Sequence, residues 1–350
     1  MMTFDMLKRF VVWILILGGL PIWAAAEAVD YPLDALELEV DTSFFPGSGA
    51  GKFEKGHFIL IDRAPVSFPG PEDDVVMILD GQGRLVFQRA PGLDIPDAEL
   101  VNIRDATLRS PERLVVAAFV RNGENQNAAV LIEYDLITSE LVRIVRTFPF
   151  QCQSLRADDL GTVWCAGFDS PKLHAREQDY DLVYRFDGGG KLLGTSLPRA
   201  SFPETLQPNS GRTTEQFGFL PGEGGVRLLV PRAREIIVFA DDGGVSDRLA
   251  LPPWPIPRQF QSKHTSPRYA VASDGMLIAA VWTAAGPLDQ RSRKQFLFRL
   301  ADDGSAWVTF EDGPSEIPMT ARLLGVDDSG LILFDRGTQR LVSLPVATNR

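Results

Sequence analysis

Cysteine is nearly absent from this 350-residue chain: Cys152 and Cys165 are its only two. Histidine is almost as scarce. His57, His174 and His264 are scattered, and no H-x-x-x-H or H-E-x-x-H pattern occurs, which argues against a histidine-based zinc or iron centre. There is no G-x-S-x-G elbow either, and Ser266 near His264 is a neighbour in sequence, not a triad. Beyond the N-terminus no apolar run is long enough to span a bilayer, and no mature segment repeats apolar residues at helical spacing. Positive charge is in deficit, with 35 Lys and Arg against 46 Asp and Glu and a net charge of −11. Such a surface repels phosphate backbones and anionic lipid, so nucleic acid and membrane surfaces are not expected as main partners. Arg291, Arg293 and Lys294 form a local basic group that reads as a solvated loop.

What is present is the composition of a packed globular protein, 45% apolar and 23% charged. Lys8 and Arg9 precede an apolar run from Phe10 to Trp23, and Ala24, Ala25 and Ala26 follow. That is the order of a secretory leader. Cleavage after Ala26 or after Ala28 would leave an Ala-x-Ala pattern. A retained anchor helix is the rival reading, weakened by the short run and by Gly18, Gly19 and Pro21. No cysteine follows the run, so lipidation there is excluded. The expectation is a leader over 1–26 and one soluble domain over 27–350, exported to the periplasm or extracellular space.

Export places the two cysteines in an oxidising compartment, where such a pair closes. The midpoint between them falls at Asp158-Asp159, so a hairpin turn there would put them directly opposite, within disulfide reach. A turn centred one residue later would remove that opposition. A redox pair is the alternative, but redox pairs are C-x-x-C and this spacing is far longer.

The stretch from Gln151 to Ser196 reads as two hairpins in succession, turning at Asp158–Gly161 and Asp187–Gly190 between short apolar runs. Asp-Gly turns so placed are the strongest short-range hairpin signal. Two hairpins make one four-stranded meander, and similar sets recur before and after it. Turn aspartates at Asp80, Asp135, Asp187, Asp241 and Asp302 fall 52 to 61 residues apart, which divides the mature length into six sets. The last set, from Leu323 to Leu344, has only three strands, while Leu36–Val40 is an orphan strand near the start. Pairing these would close a ring and remove the last exposed sheet edges. Pro46–Phe53 looks like a phosphate loop but departs from the Walker pattern at both ends, and reads as a Gly-rich loop. The fold expected is all-β, a six-bladed propeller, with seven blades as runner-up because the first set lacks a clear inner strand.

The hairpins Asp158-Asp159-Leu160-Gly161, Asp274-Gly275 and Asp327-Asp328-Ser329-Gly330 resemble those of the NHL, TolB-like and gluconolactonase-like six-bladed propellers. The resemblance covers nearly the whole mature chain, as a repeat pattern. It implies the fold and, for lactonase relatives, a divalent metal held in the central channel by carboxylates and amides from several blades. Glu99, Asn102 and Glu215 are the metal candidates here, with Gln153, His264 and Arg322 near the same strands. None matches the family's ligands residue by residue, so no catalytic role carries over.

Trp254 lies in Pro252-Pro253-Trp254-Pro255 and reads either as a ligand or partner contact or as a cap on its own blades. His264 and Arg268 are candidate contacts beside it. The favoured function is a monomeric, non-catalytic platform that binds a protein or small-molecule ligand on one face and needs no cofactor. The alternative is a hydrolase, lactonase or lyase using calcium or another divalent cation. A quinone dehydrogenase lacks its adjacent cysteine pair and repeated tryptophans.

Overall fold

The computed structural model describes residues 36–37, 50–62, 74–169, 180–204, 218–220, 225–231, 233–255, 266–271, 276–283, 294–301, 303–309, 316–327 and 330–345. Its strands form six antiparallel sheets, the blades of a propeller. β1 (Leu36–Glu37) comes first in the chain but belongs to the last blade. Blade 1 holds β2 (Ala50–Glu54), β3 (His57–Asp62), β4 (Val75–Leu79) and β5 (Leu85–Arg89). Blade 2 holds β6 (Ala98–Ser110), β7 (Arg113–Asn122), β8 (Asn127–Asp135) and β9 (Leu141–Arg146). Blade 3 holds β10 (Phe150–Ala157), β11 (Val163–Asp169), β12 (Asp181–Phe186) and β13 (Leu192–Pro198). In blade 4 are β14 (Gly218–Phe219), β15 (Arg227–Val230), β16 (Glu235–Phe239) and β17 (Val245–Ala250). Blade 5 has β18 (Ser266–Val271), β19 (Leu277–Thr283), β20 (Lys294–Leu300) and β21 (Trp307–Val308), and β22 (Glu316–Ile317) also pairs with β20. Blade 6 has β23 (Ala321–Asp327), β24 (Gly330–Asp335) and β25 (Arg340–Leu344), and β1 completes it.

The closure expected from the orphan strand is present: Leu36 pairs with Ser343 and Glu37 with Val342. Packing closes the ring as well. Each blade is buried on both faces, so its middle strands are continuous apolar runs such as Leu114–Val120. Side chains alternate between neighbours. Leu228 joins a cluster with Trp164 and Leu182 of blade 3, while Leu229 joins Leu277 and Val281 of blade 5. One such cluster joins Leu324, Ile332 and Phe334 of blade 6 to Phe58, Leu60 and Met77 of blade 1. Outermost strands are wetter: β9 alternates strictly between half-buried and exposed residues, and β17 is exposed throughout.

Part of the Gly-rich stretch is not a loop. Residues 46–49 lie outside the described set, but Ala50–Glu54 is the inner strand that the first set was missing. Gly51 is there for space, since a Cβ on it would stand 3.0 Å from Leu60 Cδ2 and 3.4 Å from Leu324 Cδ2.

The disulfide Cys152–Cys165 is formed, with Cα atoms 5.5 Å apart. Direct opposition, however, is not how it forms. The turn is centred later than expected, with Ala157 opposite Val163, so Cys165 faces Leu155 and Cys152 faces Gly167. A bulge between Cys152 and Ser154 shifts the register and brings the diagonal pair within disulfide range.

The repeat has a physical basis in its turns. In blades 1 and 3 the first turn residue is an aspartate whose Oδ1 accepts two backbone N–H groups, from Gln82 and Arg84 onto Asp80 and from Gly189 and Lys191 onto Asp187. The fourth residue is a glycine at positive φ, Gly83 at 78° and Gly190 at 83°. In blades 4 and 5 the equivalent first residues are Ala240 and Ala301, not Asp241 and Asp302. There the acceptors move along the turn, to Asp242 for the N–H of Gly244 and Asp303 for that of Ser305.

The Lys191 N–H, against opposing burial, holds the Asp187 carboxyl below the usual carboxylate range, with Gly189 N–H adding to the effect. A depressed folded pKa means a contribution present above the unfolded value of about 3.9 and lost as pH falls through the folded one. Asp187→Ala is therefore expected to lower the urea midpoint at pH 7 and to differ less from the parent at pH 2. A deficit independent of pH would contradict this.

Candidate functional site

The first strands of the blades are β2, β6, β10, β14, β18 and β23, and β6 packs against β10, β10 against β14, β18 against β23 and β23 against β2. Their polar side chains fall into two groups, those that bond one another across blades and those that do not.

In blades 1 to 4 several bond one another. Lys52 Nζ lies 3.2 Å from Asp105 and 3.5 Å from Glu54. Thr107 Oγ1 donates to Glu54 at 2.7 Å, and the Leu155 N–H donates to Asp105 at 2.7 Å. Ser154 Oγ donates to Asp105 at 3.4 Å and accepts the Phe219 N–H at 3.0 Å, and Arg156 Nη1 donates to the Leu220 carbonyl at 2.7 Å. One chain of contacts thus crosses blades 1, 2, 3 and 4. Burial alone would lower the Lys52 pKa, but Asp105 and then Glu54 outweigh it and hold the ammonium above its usual range. Lys52, Glu54, Asp105, Thr107 and Ser154 satisfy each other, which is the chemistry of a staple and not of a reaction centre.

Elsewhere on the first strands satisfaction is incomplete. Asn102 Oδ1 on β6 is buried without a hydrogen-bond partner among the described residues. Arg268 on β18 stands opposite Ala280, as far from its hairpin as Ser154, opposite Ala166, is from its own. Arg322 stands second in the neighbouring strand β23. The turn from β24 to β25 folds against the start of β23 through Arg336 N–H to Thr320 O at 3.1 Å, and so adds Arg336. Burial first, then Arg268 and Arg336, push Arg322 down to about 10. Arg268 is also lowered, by burial and then by Arg336.

Of the residues singled out from sequence, Cys152 and Cys165 form the staple of blade 3. Glu215 and His264 lie outside the described residues. Glu99 is exposed on β6, its carboxylate against Gly123 of the β7–β8 turn, and Asn102 sits further along the same strand opposite Phe119. Among the described residues no three His, Cys, Asp or Glu side chains are grouped to hold a metal ion. Trp254 stacks on Trp307, with centroids 4.4 Å apart, near Tyr269 and Phe298. Trp307 Nε1 donates to the Pro252 carbonyl at 3.0 Å, so the Pro-rich segment is tied to blade 5. Lys294 pairs with Glu316 at 2.7 Å.

Sequence reasoning passed over Lys52, Glu54, Asp105, Thr107, Ser154, Arg156 and Arg336. A signal for six of them existed: Lys52-x-Glu54, Asp105-x-Thr107 and Ser154-x-Arg156 are polar i, i+2 pairs, each shortly before a hairpin turn.

No family model and no curated protein matches this sequence. Among solved structures, a Bacteroides fragilis protein described as a candidate exported protein is 11% identical, covering 86% of this chain and 83% of that chain at a TM-score of 0.48. Hydrazine synthase of Kuenenia stuttgartiensis is 10% identical, covering 87% and 78% at 0.45. The GH43_1 enzyme of Xanthomonas citri is 13% identical, covering 82% and 96% at 0.39. At these identities and scores the likenesses carry nothing about what this chain binds or converts. Among the described residues no helix is long and apolar enough to cross a membrane.

Proposed function

We propose that the chain is exported, loses its leader after Ala26 or Ala28, and works as a non-catalytic platform for a small-molecule ligand. The proposed contact region is lined by the first strands of the blades. One observation carries this reading: Asn102 Oδ1 on β6 is buried with no hydrogen-bond partner among the described residues, on the same strand whose Asp105 is fixed by Lys52 and Ser154. A rigid scaffold with unmet hydrogen-bond capacity suits recognition. Trp254, His264 and Arg268 are its proposed contacts, and the disulfide agrees with an oxidising compartment.

The test is a melting screen of the oxidised mature chain against a small-molecule panel that includes lactones and phosphoesters, with product assayed in the same wells. Ligands should raise the melting temperature without turnover, and hydrogen exchange should slow in β6 around Asn102. Turnover of any stabilising lactone or phosphoester would overturn the platform reading.

A further inference from the structure

We propose that one face of blade 2, carrying Asn102 on β6 with Phe119 and Arg121 on β7, is a binding site for a neutral cyclic polyol. This deepens the platform reading at Asn102 and rests on it.

The first support is register. In the β6–β7 pairing Asn102 stands opposite Phe119, and Leu100 opposite Arg121. Residues directly opposite share a face of a sheet, and so do residues two apart along one strand. Leu100, Asn102, Phe119 and Arg121 therefore lie on one face. Arg121 is also opposite Asn127 of β8, which brings a second carboxamide to that face. The alternate residues Val101, Ile103, Ala118 and Val120 join the core shared with blade 1. Asn102 and Arg121 are diagonal neighbours across the pair, a separation of about 7–8 Å that long side chains span.

The second support is unmet capacity. Asn102 Oδ1 and Arg121 Nε are each buried with no hydrogen-bond partner among the described residues. Such atoms are costly to leave unmet. Asn102 Oδ1 is an acceptor and Arg121 Nε–H a donor. Hydroxyl groups are both, so neighbouring hydroxyls of one molecule can donate to Asn102 and accept from Arg121. A carboxylate or phosphate oxygen only accepts, and would leave Asn102 Oδ1 unmet.

The third support is the ring beside them. Phe119 is half-buried, while Ala118 and Val120 on either side are buried. The Arg104 guanidinium lies over its ring, 5.9 Å from the centroid, and steadies it. An aromatic ring next to a few fixed polar groups suits a ligand with an apolar ring face and a polar rim. The net charge of −11 opposes polyanions but not a neutral molecule.

The experiment is isothermal titration of glucose, galactose, mannose, ribose and myo-inositol, each separately, into the oxidised mature chain. At least one should bind saturably. Asn102→Leu should raise its Kd about tenfold or more, the loss of one hydrogen bond, and Arg121→Met should do the same. Arg84→Ala, on an exposed turn beside Asp80, should leave binding intact. Without ligand, Asn102→Leu should melt at or above the parent, because it removes an unmet buried polar atom. An asparagine with a merely structural role would show the reverse. Arg121→Met is the independent variant should Asn102→Leu fold poorly.

The site is overturned if none of the five polyols binds saturably, if binding survives both substitutions, or if folded Asn102→Leu melts below the parent. Other panel compounds that stabilise while all five polyols fail would remove this site and leave the platform standing. No stabilisation by any compound would remove both.

Discussion

Asp105→Ala is expected to cost the fold about 2–3 kcal/mol, because it leaves several partners stranded at once. The carboxylate faces Lys52 at 3.2 Å, accepts the Leu155 N–H at 2.7 Å and lies 3.4 Å from Ser154 Oγ. Those partners come from blades 1 and 3, so the loss falls on two inter-blade contacts and not on blade 2 alone. The side chains of Lys52 and Asp105 are 22% and 21% exposed, which keeps the expected cost below that of a fully buried pair. Urea denaturation reads it as a lower midpoint. Lys52→Met with Asp105→Ala closes a double-mutant cycle, and a coupling of at least about 1 kcal/mol is expected. Changes below about 0.5 kcal/mol, the level of ordinary surface substitutions, would mean that these groups do not hold the blades together.

Gly167→Ala should be at least as costly, about 3 kcal/mol, for a different reason. A Cβ there would lie 2.0 Å from Gln151 O, 2.8 Å from its carbonyl carbon and 3.1 Å from Cys152 Cα. Every one of those atoms is backbone, and the strand that carries them is tied across the bulge by the disulfide. Neither side can give way without opening the β10–β11 pairing. Gly194→Ala in the same blade is the control, since its nearest neighbour would be Arg185 Nη2 at 3.5 Å. It should change stability by no more than about 0.5 kcal/mol. Equal costs for the two would show that the close approach at Gly167 is not what limits the strand.

These positions also mark where the sequence could and could not be read. Middle strands such as Leu114–Val120 and Val75–Leu79 announced themselves, because burial on both faces demands unbroken apolar runs. The ring closure was legible because the last set was one strand short and Leu36–Val40 had no partner nearby. The first strands were harder. β2 begins Ala50-Gly51 at the end of a Gly-rich stretch, β14 spans two residues, and β6 carries bulges that break its period. Their polar residues answer to neighbouring blades, and the i, i+2 spacing before a hairpin turn is the one local mark they leave. The disulfide pairing was legible but its geometry was not, because a bulge leaves no trace in residue counting. Arg336 was invisible for a related reason: only the return of the β24–β25 turn onto Thr320 places it beside Arg322.

The account stands on recognition, not metal chemistry, as the business of this propeller. Elemental analysis of the protein, purified without chelator, and melting with and without EDTA test that directly. The expected result is no stoichiometric divalent ion and a melting midpoint unmoved by EDTA. About one calcium or other divalent ion per chain, with a midpoint that falls when EDTA is added, would contradict it and favour the metal-dependent hydrolase.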